Sequence, residues 1–378
     1  MITIQEVRTK GDLKRFSSFP NHLYKDVPQY IPPLAADDLE DWNPKKNPAF
    51  EYCDVKCFLA LRDGKIVGRV GAILNHKANE KWQTNRMRFS QLDFVDDPEV
   101  STALMGAVED FAREKGCDEI HGPLGFTDLD REGLLIEGFD RKSMFITYYN
   151  HPYYKVHLEK LGYGKDVDWV EYLLPVPQDE RTIDRLQRLS ERVARHNRLH
   201  IAEIRRRKDY GPYVEKFFRL WNTCYAPLYG TTPLTDAQIR RYVKKFVPLV
   251  NPDLACFVMD EEENLVAFGV SAPSIANALK KSNGKMLPFG FVRLLRALKK
   301  NDTLDLFLIA VRPDYQNKAV NAILLNHVLK GCLKMGITHA ETGPQLETNH
   351  KILSQWNTFQ PELHKRRRCF IKQLAPTV

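Results

Sequence analysis

The chain has 378 residues, 43% hydrophobic and 28% charged, which fits two globular domains, each able to bury a core. Its formal charge of +8 suits an anionic ligand, a nucleic acid or an acidic partner, and charge alone does not choose among them. No apolar run is long enough for a membrane span, and the N-terminus lacks a signal pattern. We therefore expect a cytoplasmic protein without a transmembrane segment, its seven cysteines reduced.

The first half combines short strands with amphipathic helices. In chain order, the pattern predicts a strand at 2–7, a helical region at about 10–40, a hairpin at 55–74, a strand at 89–95, a helix at 98–115, a strand at 119–122, a helix at 153–161 and a strand or hairpin at 165–174. The long loop at 125–140 carries Asp128, Asp130 and Arg131 among several glycines. Such a loop inside a compact domain indicates a shaped binding loop.

The second half repeats this order about 200 residues further on. Its predicted elements are a helix at 179–197, a strand at 200–204, a helical region at 210–248, a hairpin at 254–272, a strand at 303–311, a helix at 318–335, a strand at 339–341, a helix at 350–355 and a strand or hairpin at 364–374. Cys57-Phe58 recurs as Cys256-Phe257, and Gly122-Pro123 recurs as Gly343-Pro344. Echoes in constant order indicate a duplication.

The duplication divides the chain into domains 1–175 and 176–378. Each is predicted to be α/β (α+β), with a central mixed sheet flanked by helices. The cationic run at 365–368 lies in a strand-like segment and is expected to be a solvated edge.

An insertion of about twenty residues, at 274–300, distinguishes the second half. It contains seven cations and no acidic residue, and apolar residues interleave with the charges. We predict it to be at least partly helical and to lie on the surface. Its basic face is then available to an acidic partner (acyl carrier protein or tRNA) or to a membrane surface. Simple packing on the second domain is an equal alternative.

The segment most typical of a functional site lies at 306–322. A strand at 306–311, apolar on both faces, ends at Arg312-Pro313, and a turn containing Lys318 then leads into a helix. A strand, a turn and a helix N-terminus present free backbone N–H groups to a phosphate, and both cations add positive charge.

This segment resembles the acetyl-CoA pyrophosphate loop of the GNAT (Gcn5-related N-acetyltransferase) superfamily. The family pattern is Gln/Arg-x-x-Gly-x-Gly/Ala, and Gln316, Ala319 and Asn321 occupy those places. Asn349 opens a helix that resembles the family's Asn-led helix after the fifth strand. The stretches 122–126, 133–139 and 148–150 resemble two-domain bacterial GNAT-like proteins, so the resemblance covers essentially the whole chain.

The resemblance implies an acetyl-CoA or other acyl-CoA co-substrate and no metal. The residues that would bind it are Ala310, Val311, Arg312, Gln316, Lys318, Ala319, Val320, Asn321 and Asn349.

The resemblance also suggests residues for catalysis and for the acceptor. Glu341 is a candidate base, and Tyr315 replaces the family's acid tyrosine, whose place is taken by Trp356. Tyr225, Tyr229 and Glu347 are assigned to the acceptor. For the two carboxylates the alternative is a solvated side chain, and for the tyrosines it is core packing.

The first half offers Asp96, Asp97 and Glu99 at the matching corner, which would repel a pyrophosphate. We therefore expect one coenzyme site, in the second half. The predicted function is transfer of an acyl group from acyl-CoA to an amine or similar acceptor, either a small molecule or a peptide. Two alternatives stay open: an inactive ligand-binding or scaffold protein, and aminoacyl transfer from tRNA as in peptidoglycan-bridge enzymes.

Overall fold

The computed structural model of the chain describes residues 1–375. The first half consists of β1 (Ile2–Glu6), α1 (Lys10–Leu23), α2 (Ala35–Asp41), β2 (Cys53–Arg62), β3 (Lys65–Asn75), α3 (His76–Trp82), β4 (Arg86–Phe94), α4 (Pro98–Glu114), β5 (Glu119–Gly122), β6 (Leu134–Glu137), α5 (Tyr153–Lys160) and β7 (Gly164–Pro175).

The second half repeats the same order. It consists of α6 (Glu180–His196), β8 (His200–Ile201), α7 (Val214–Tyr225), α8 (Asp236–Phe246), β9 (Ala255–Met259), β10 (Leu265–Pro273), α9 (Ala276–Ser282), α10 (Gly290–Lys299), β11 (Thr303–Val311), α11 (Asn321–Met335), β12 (His339–Thr342), β13 (Gln345–Leu346), α12 (His350–Ser354) and β14 (Glu362–Gln373). The matching orders confirm the predicted tandem α/β fold.

The long helices α4 and α11 cover corresponding parts of the sheet. Asp97 caps α4 by accepting the N–H of Glu99 at 2.9 Å, and Pro98 occupies the first turn, where its missing N–H costs nothing. Val100 and Leu104, four residues apart, are fully buried against the sheet. The same spacing in α11 buries its inner face.

The insertion forms α9 and α10, so its predicted helical character is confirmed. The helix predicted to begin at 318 begins instead at Asn321, because Ala319 has a φ of +56° and cannot be helical. The strand predicted at 200–204 is shortened to His200–Ile201, where it pairs with β9.

All strands form one fourteen-stranded sheet, in which the two sequence halves share their last strands. The central order is β4-β5-β14-β7-β12-β11, so β14 lies beside β5 of the first half, and β7 lies beside β12 of the second. The pairs β4–β5 and β11–β12 are parallel, and the exchanged strands pair antiparallel. Residue 175 ends β7, but the packing of the two halves continues across that boundary.

Buried ion pairs hold the exchanged strands in register. Glu171 on β7 is fully buried and receives Lys365 Nζ at 3.0 Å and the Arg367 guanidinium, both from β14. Lys365 also pairs with Glu341 on β12. The expectation of a solvated edge at 365–368 is therefore wrong: β14 lies at the centre of the sheet, and burial is acceptable because each cation meets a carboxylate.

Replacement of Glu171 tests this network. Glu171→Gln keeps the size of the side chain but leaves Lys365 and Arg367 buried without their shared counter-charge. We expect the free energy of unfolding in urea at pH 7 to fall by about 3–5 kcal/mol. The control Glu261→Gln breaks an exposed ion pair with Arg198 and should cost less than ~1 kcal/mol.

The pH dependence of the stability difference between wild type and Glu171→Gln is a second readout. Burial alone would raise the pKa of Glu171, but the charges of Arg367 and Lys365 outweigh it and hold this pKa at about 2. The stabilisation is complete above the ordinary Glu pKa of 4.5 and is lost as the pH falls toward 2. The gap between wild type and Glu171→Gln should therefore shrink across that window, and equal stabilities at pH 7 would contradict the network's role.

Candidate functional site

The candidate site opens where β11 and β12 separate. The two strands pair only from Thr303–Leu306 to His339–Thr342, after which β11 runs on to Val311 without this neighbour. A cavity of about 630 Å³ fills the opening. Its walls come from α7, α8, β10, β11, the start of α11 and the segment after β12.

The lining is mostly apolar. Aromatic and aliphatic side chains of α7 and α8 face those of β11 across the cavity; they include Val214, Phe217, Phe218, Phe246, Phe307 and Leu308. A cavity of this size and lining accommodates a chain of carbon atoms better than a polar molecule.

One end of the cavity is a backbone corner at 316–321. Asn317 and Ala319 have φ values of +65° and +56°, and Val320 is right-handed. A left-handed residue followed by a right-handed one is the arrangement in which backbone amides form an anion-binding concavity. The N–H groups of the first turn of α11, which also lack intrahelical acceptors, begin at the same point.

Three cations surround this corner, but they are not equally available. Arg312 donates to Asp314 at 2.7 Å and lies 3.5 Å from Asp260, so its charge is already matched. Lys318 lies 4.5 Å from the Tyr315 ring and has no ion pair among residues 1–375. Lys351, which the sequence analysis did not single out, contacts Gln316 Oε1 at 3.3 Å. Lys318 and Lys351 are therefore free to meet an anion.

Several residues predicted from the sequence meet at this end of the cavity. Its lining includes Ala310, Val311, Tyr315, Gln316, Ala319, Val320, Asn321, Asn349 and Tyr225. Gln316 Nε2 donates to the Val311 carbonyl at 3.2 Å, and the Tyr225 hydroxyl donates to the Ile309 carbonyl at 3.3 Å. These bonds fix the loop and α7 to β11.

Five predicted residues lie outside the cavity lining: Arg312 and Lys318, at the backbone corner, and Glu341, Glu347 and Tyr229. Glu341 is mostly buried and paired with Lys365, and Glu347 is paired with Lys165 and Arg366. The Tyr229 hydroxyl bonds Asp166 and lies 2.7 Å from His121 Nδ1. The polar groups of Glu341, Glu347 and Tyr229 are therefore occupied by other residues of the protein.

The first half supplies three carboxylates that line the cavity, Asp128, Asp130 and Glu132. Asp128 and Glu132 belong to the loop after β5, and β5 lies next to β14. Neither carboxylate accepts a side-chain or backbone hydrogen bond from the described part of the chain. Asp130 between them has a structural role, since its Oδ2 accepts the N–H groups of Phe126 and Thr127 at 2.9 and 3.0 Å.

The two free carboxylates hold their protons unusually strongly. Burial raises the pKa of Asp128 to about 7, opposed by the charges of Arg88 and Lys81. Burial also raises the pKa of Glu132 well above its ordinary value, and the nearby charge of Asp128 adds to this. A carboxyl group with a pKa of about 7, such as that of Asp128, can exchange a proton near neutral pH. In the sequence, the acidic and glycine-rich character of the loop indicated that it could bind a ligand. Nothing in the sequence indicated which cavity the loop reaches.

The matching opening in the first half is filled by protein. The ring of Tyr154 lies 4.3 Å from that of Phe94, at the end of β4, and the Tyr154 hydroxyl accepts the Phe94 N–H at 2.8 Å. Tyr153 donates to the Phe94 carbonyl at 2.5 Å. Arg62 pairs with Asp97 and Glu99 at the corner itself. The two halves therefore share the same arrangement of strands. The space that forms a cavity in the second half is filled by side chains in the first.

Comparison with known proteins agrees with this geometry. The Acetyltransferase (GNAT) family profile matches residues 214–352, which include the backbone corner and most of the cavity lining. Protein YghO of Escherichia coli (strain K12) is 30% identical over 371 residues, covering 97% of this chain and 94% of that protein. The chain belongs to the acetyltransferase (GNAT) family.

Two further proteins are similar to this GNAT protein over nearly its whole length. The tandem GNAT protein from the clavulanic acid biosynthesis pathway superposes with a TM-score of 0.58 at 11% identity, covering all of both chains, which supports the tandem fold. The bacterial ceramide synthase of Caulobacter vibrioides (strain NA1000 / CB15N) is 28% identical over 361 residues, covering 92% of this chain and 91% of that enzyme. The fold is that of an acyltransferase family that uses acyl-CoA as co-substrate.

Two further features concern membrane-spanning helices and cysteines. Within residues 1–375, no helix combines the length and the apolar character needed to cross a membrane. All seven cysteines are free thiols, and six of them are buried.

The raised pKa of Asp128 predicts an effect on stability. Between the ordinary Asp pKa of 3.8 and about 7, the folded protein binds more protons than the unfolded chain, so its stability falls as the pH rises. Asp128→Asn removes this cost and should raise the melting temperature at pH 8 but not at pH 4. The matched control Asp26→Asn, at an exposed carboxylate, should shift it at neither pH. A lower melting temperature for Asp128→Asn at pH 8 would contradict the assignment.

Proposed function

We propose that the chain is an N-acyltransferase that moves an acyl group from acyl-CoA to the amine of a long-chain, lipid-like acceptor. One observation carries the proposal: a single apolar cavity connects an anion-binding backbone corner to a pair of unpartnered carboxylates. The corner suits the coenzyme, the apolar walls suit hydrocarbon, and the carboxylates suit proton removal from an amine.

The corner at 316–321 would bind the pyrophosphate of the coenzyme. Backbone N–H groups there, with Lys318 and Lys351, supply donors and positive charge. Charge-assisted hydrogen bonds of this kind contribute roughly 1.5–3 kcal/mol each. Within residues 1–375, the edge of β11 beyond Leu306 has no strand on the β12 side, so its backbone at Ala310-Val311 would lie beside the thioester. In the first half, Tyr153 and Tyr154 take the equivalent space.

The acceptor is inferred from the apolar walls and from one relative. The ceramide synthase of Caulobacter vibrioides is similar to this chain over most of both lengths, and a ceramide is by definition the fatty amide of a long-chain amino alcohol. Two hydrocarbon chains would need an apolar cavity wider than a small polar amine requires. The lining from α7, α8 and β11 meets that need.

The proposed reaction uses groups of both halves. The amine attacks the thioester carbon, a C–N bond forms, and the C–S bond breaks. The Asp128/Glu132 pair accepts the proton that the amine nitrogen loses, and the CoA thiolate takes up a proton from Tyr315 or from water. The fold contributes orientation and a dry, fixed set of donors.

Turnover with defined substrates tests the proposal. Wild type with palmitoyl-CoA and a long-chain amino alcohol should form the amide, detected by mass spectrometry together with one free CoA thiol per product. The rate should rise as the pH increases through about 7, because the carboxylate pair must lose a proton before it can accept one. Asp128→Asn and Glu132→Gln should lower kcat by about 10²–10⁴.

Asp26→Asn is the matched control and should keep the wild-type rate. Failure of wild type to acylate any amine while binding acyl-CoA would favour a ligand-binding role and overturn the proposal. Transfer only from aminoacyl-tRNA would assign the chain to that other chemistry.

A pair of substitutions at one position tests the coenzyme corner. Ala319→Glu introduces bulk and negative charge and should abolish CoA binding measured by isothermal titration. Ala319→Gly suits a φ of +56° and should bind as wild type does. Asp97→Lys in the first half should leave binding unchanged at one CoA per chain. Two CoA per chain, or normal binding by Ala319→Glu, would place the site elsewhere.

A further inference from the structure

The exposed apolar residues of the protein are concentrated in the insertion. Five of the eleven large apolar side chains exposed within residues 1–375 fall between positions 287 and 295; they are Leu287, Phe289, Phe291, Val292 and Leu295. Leu287 and Phe289 are 81% and 66% exposed. Single exposed apolar residues are ordinary, but a contiguous group marks an interaction surface.

Cations surround this group, and no acidic residue lies within 274–300. The cations with exposed side chains are Lys281, Lys285, Arg293, Arg296, Lys299 and Lys300. None of them has an ion pair in the part of the chain that the structure describes. We call the five apolar residues and these six cations the basic-apolar face.

The other side of α10 connects this face to the cavity. Leu294 and Leu298 are buried in a cluster with Leu249 and Ile275. Partly buried residues of that same cluster, Ile146, Phe246 and Phe307, also line the cavity. The basic-apolar face therefore lies directly over one wall of the site.

We propose that the basic-apolar face docks on the surface of a membrane that contains anionic lipid. The apolar side chains would enter the boundary between headgroups and acyl chains, and the cations would meet lipid phosphates. Docking does not depend on the reaction proposed above. Its consequence, that a long-chain acceptor or product passes between the bilayer and the cavity, does rest on the proposed function.

Other binding partners would match only some of the residues of the basic-apolar face. An acidic protein such as an acyl carrier protein would match the cations, but it would leave Leu287, Phe289 and Phe291 without an apolar environment. A second copy of this chain related by a two-fold axis would bring like charges together, because the same surface meets itself. An anionic bilayer matches both the cations and the apolar side chains.

Vesicle co-sedimentation with the full chain tests the proposal. Wild type should bind vesicles of phosphatidylcholine and phosphatidylglycerol in equal parts, should bind pure phosphatidylcholine weakly, and should lose affinity at high salt. The double variant Phe289→Ser, Phe291→Ser should weaken binding at least about tenfold. Each of Arg293→Gln and Arg296→Gln should weaken it roughly fivefold. Val156→Ser with Leu189→Ser, which removes exposed apolar residues elsewhere, should not change it.

A second readout separates docking from catalysis. Amide formation with the acceptor dispersed in neutral detergent should be unchanged in the phenylalanine variant, and thermal unfolding should show that it is folded. No binding of wild type to mixed vesicles, or equal binding by the phenylalanine variant, would overturn the proposal. Loss of self-association or of binding to an acyl carrier protein in that variant, without vesicle binding by wild type, would assign the face to those partners. Vesicle binding without any turnover would instead overturn the proposed function and leave docking in place.

Discussion

The ion pairs of Glu171 with Lys365 and Arg367 are the constraint on which the rest of the structure depends. All three side chains are almost completely buried, and they lie on two strands that come from different halves of the sequence. A slip of one residue in either strand would turn these charges to the opposite face and leave them unpaired. The network therefore specifies both the exchange of the last strands and their register.

The exchange determines what the cavity contains. Because β14 lies next to β5, the loop that follows β5 packs against the second half: Leu129 joins its core, and a Cβ on Gly133 would lie 2.8 Å from Arg367 Cβ. This loop brings Asp128 and Glu132 to a cavity whose lining comes mostly from the second half. Residues of both halves therefore line the candidate site.

The duplicated halves illustrate how one framework supports different roles. Each has a parallel strand pair that separates after a few residues. In the first half, Tyr153 and Tyr154 bond the backbone at that point and add to the core. In the second, the same region is a cavity whose polar backbone groups are left for a ligand. The same opening in the sheet is therefore filled by core side chains in one half and forms a cavity in the other.

The sequence predicted much of this fold and part of the site. Hydrophobic periodicity located nearly all the helices and strands, and the internal repeat indicated the tandem architecture. Both patterns can be recognised in the sequence without knowledge of tertiary contacts. The motif predicts a coenzyme loop at 316–321, and most of that segment lines the cavity. The exchange of β7 and β14 was not predictable, since both are strands with mixed polarity and their pairing depends on distant charges. For that reason Glu341 appeared free in the sequence, whereas the structure pairs it with Lys365.

The most direct measurement is a crystal structure of the chain with a non-reactive thioether analogue of a long-chain acyl-CoA. We expect one analogue per chain, with its pyrophosphate on the backbone corner at 316–321. Its acyl chain should lie between α8 and β11, and its reacting carbon should face the carboxylates of Asp128 and Glu132. An analogue bound at the first-half corner beside Asp97, or one whose reacting carbon lies far from both carboxylates, would contradict a site built jointly by the two halves.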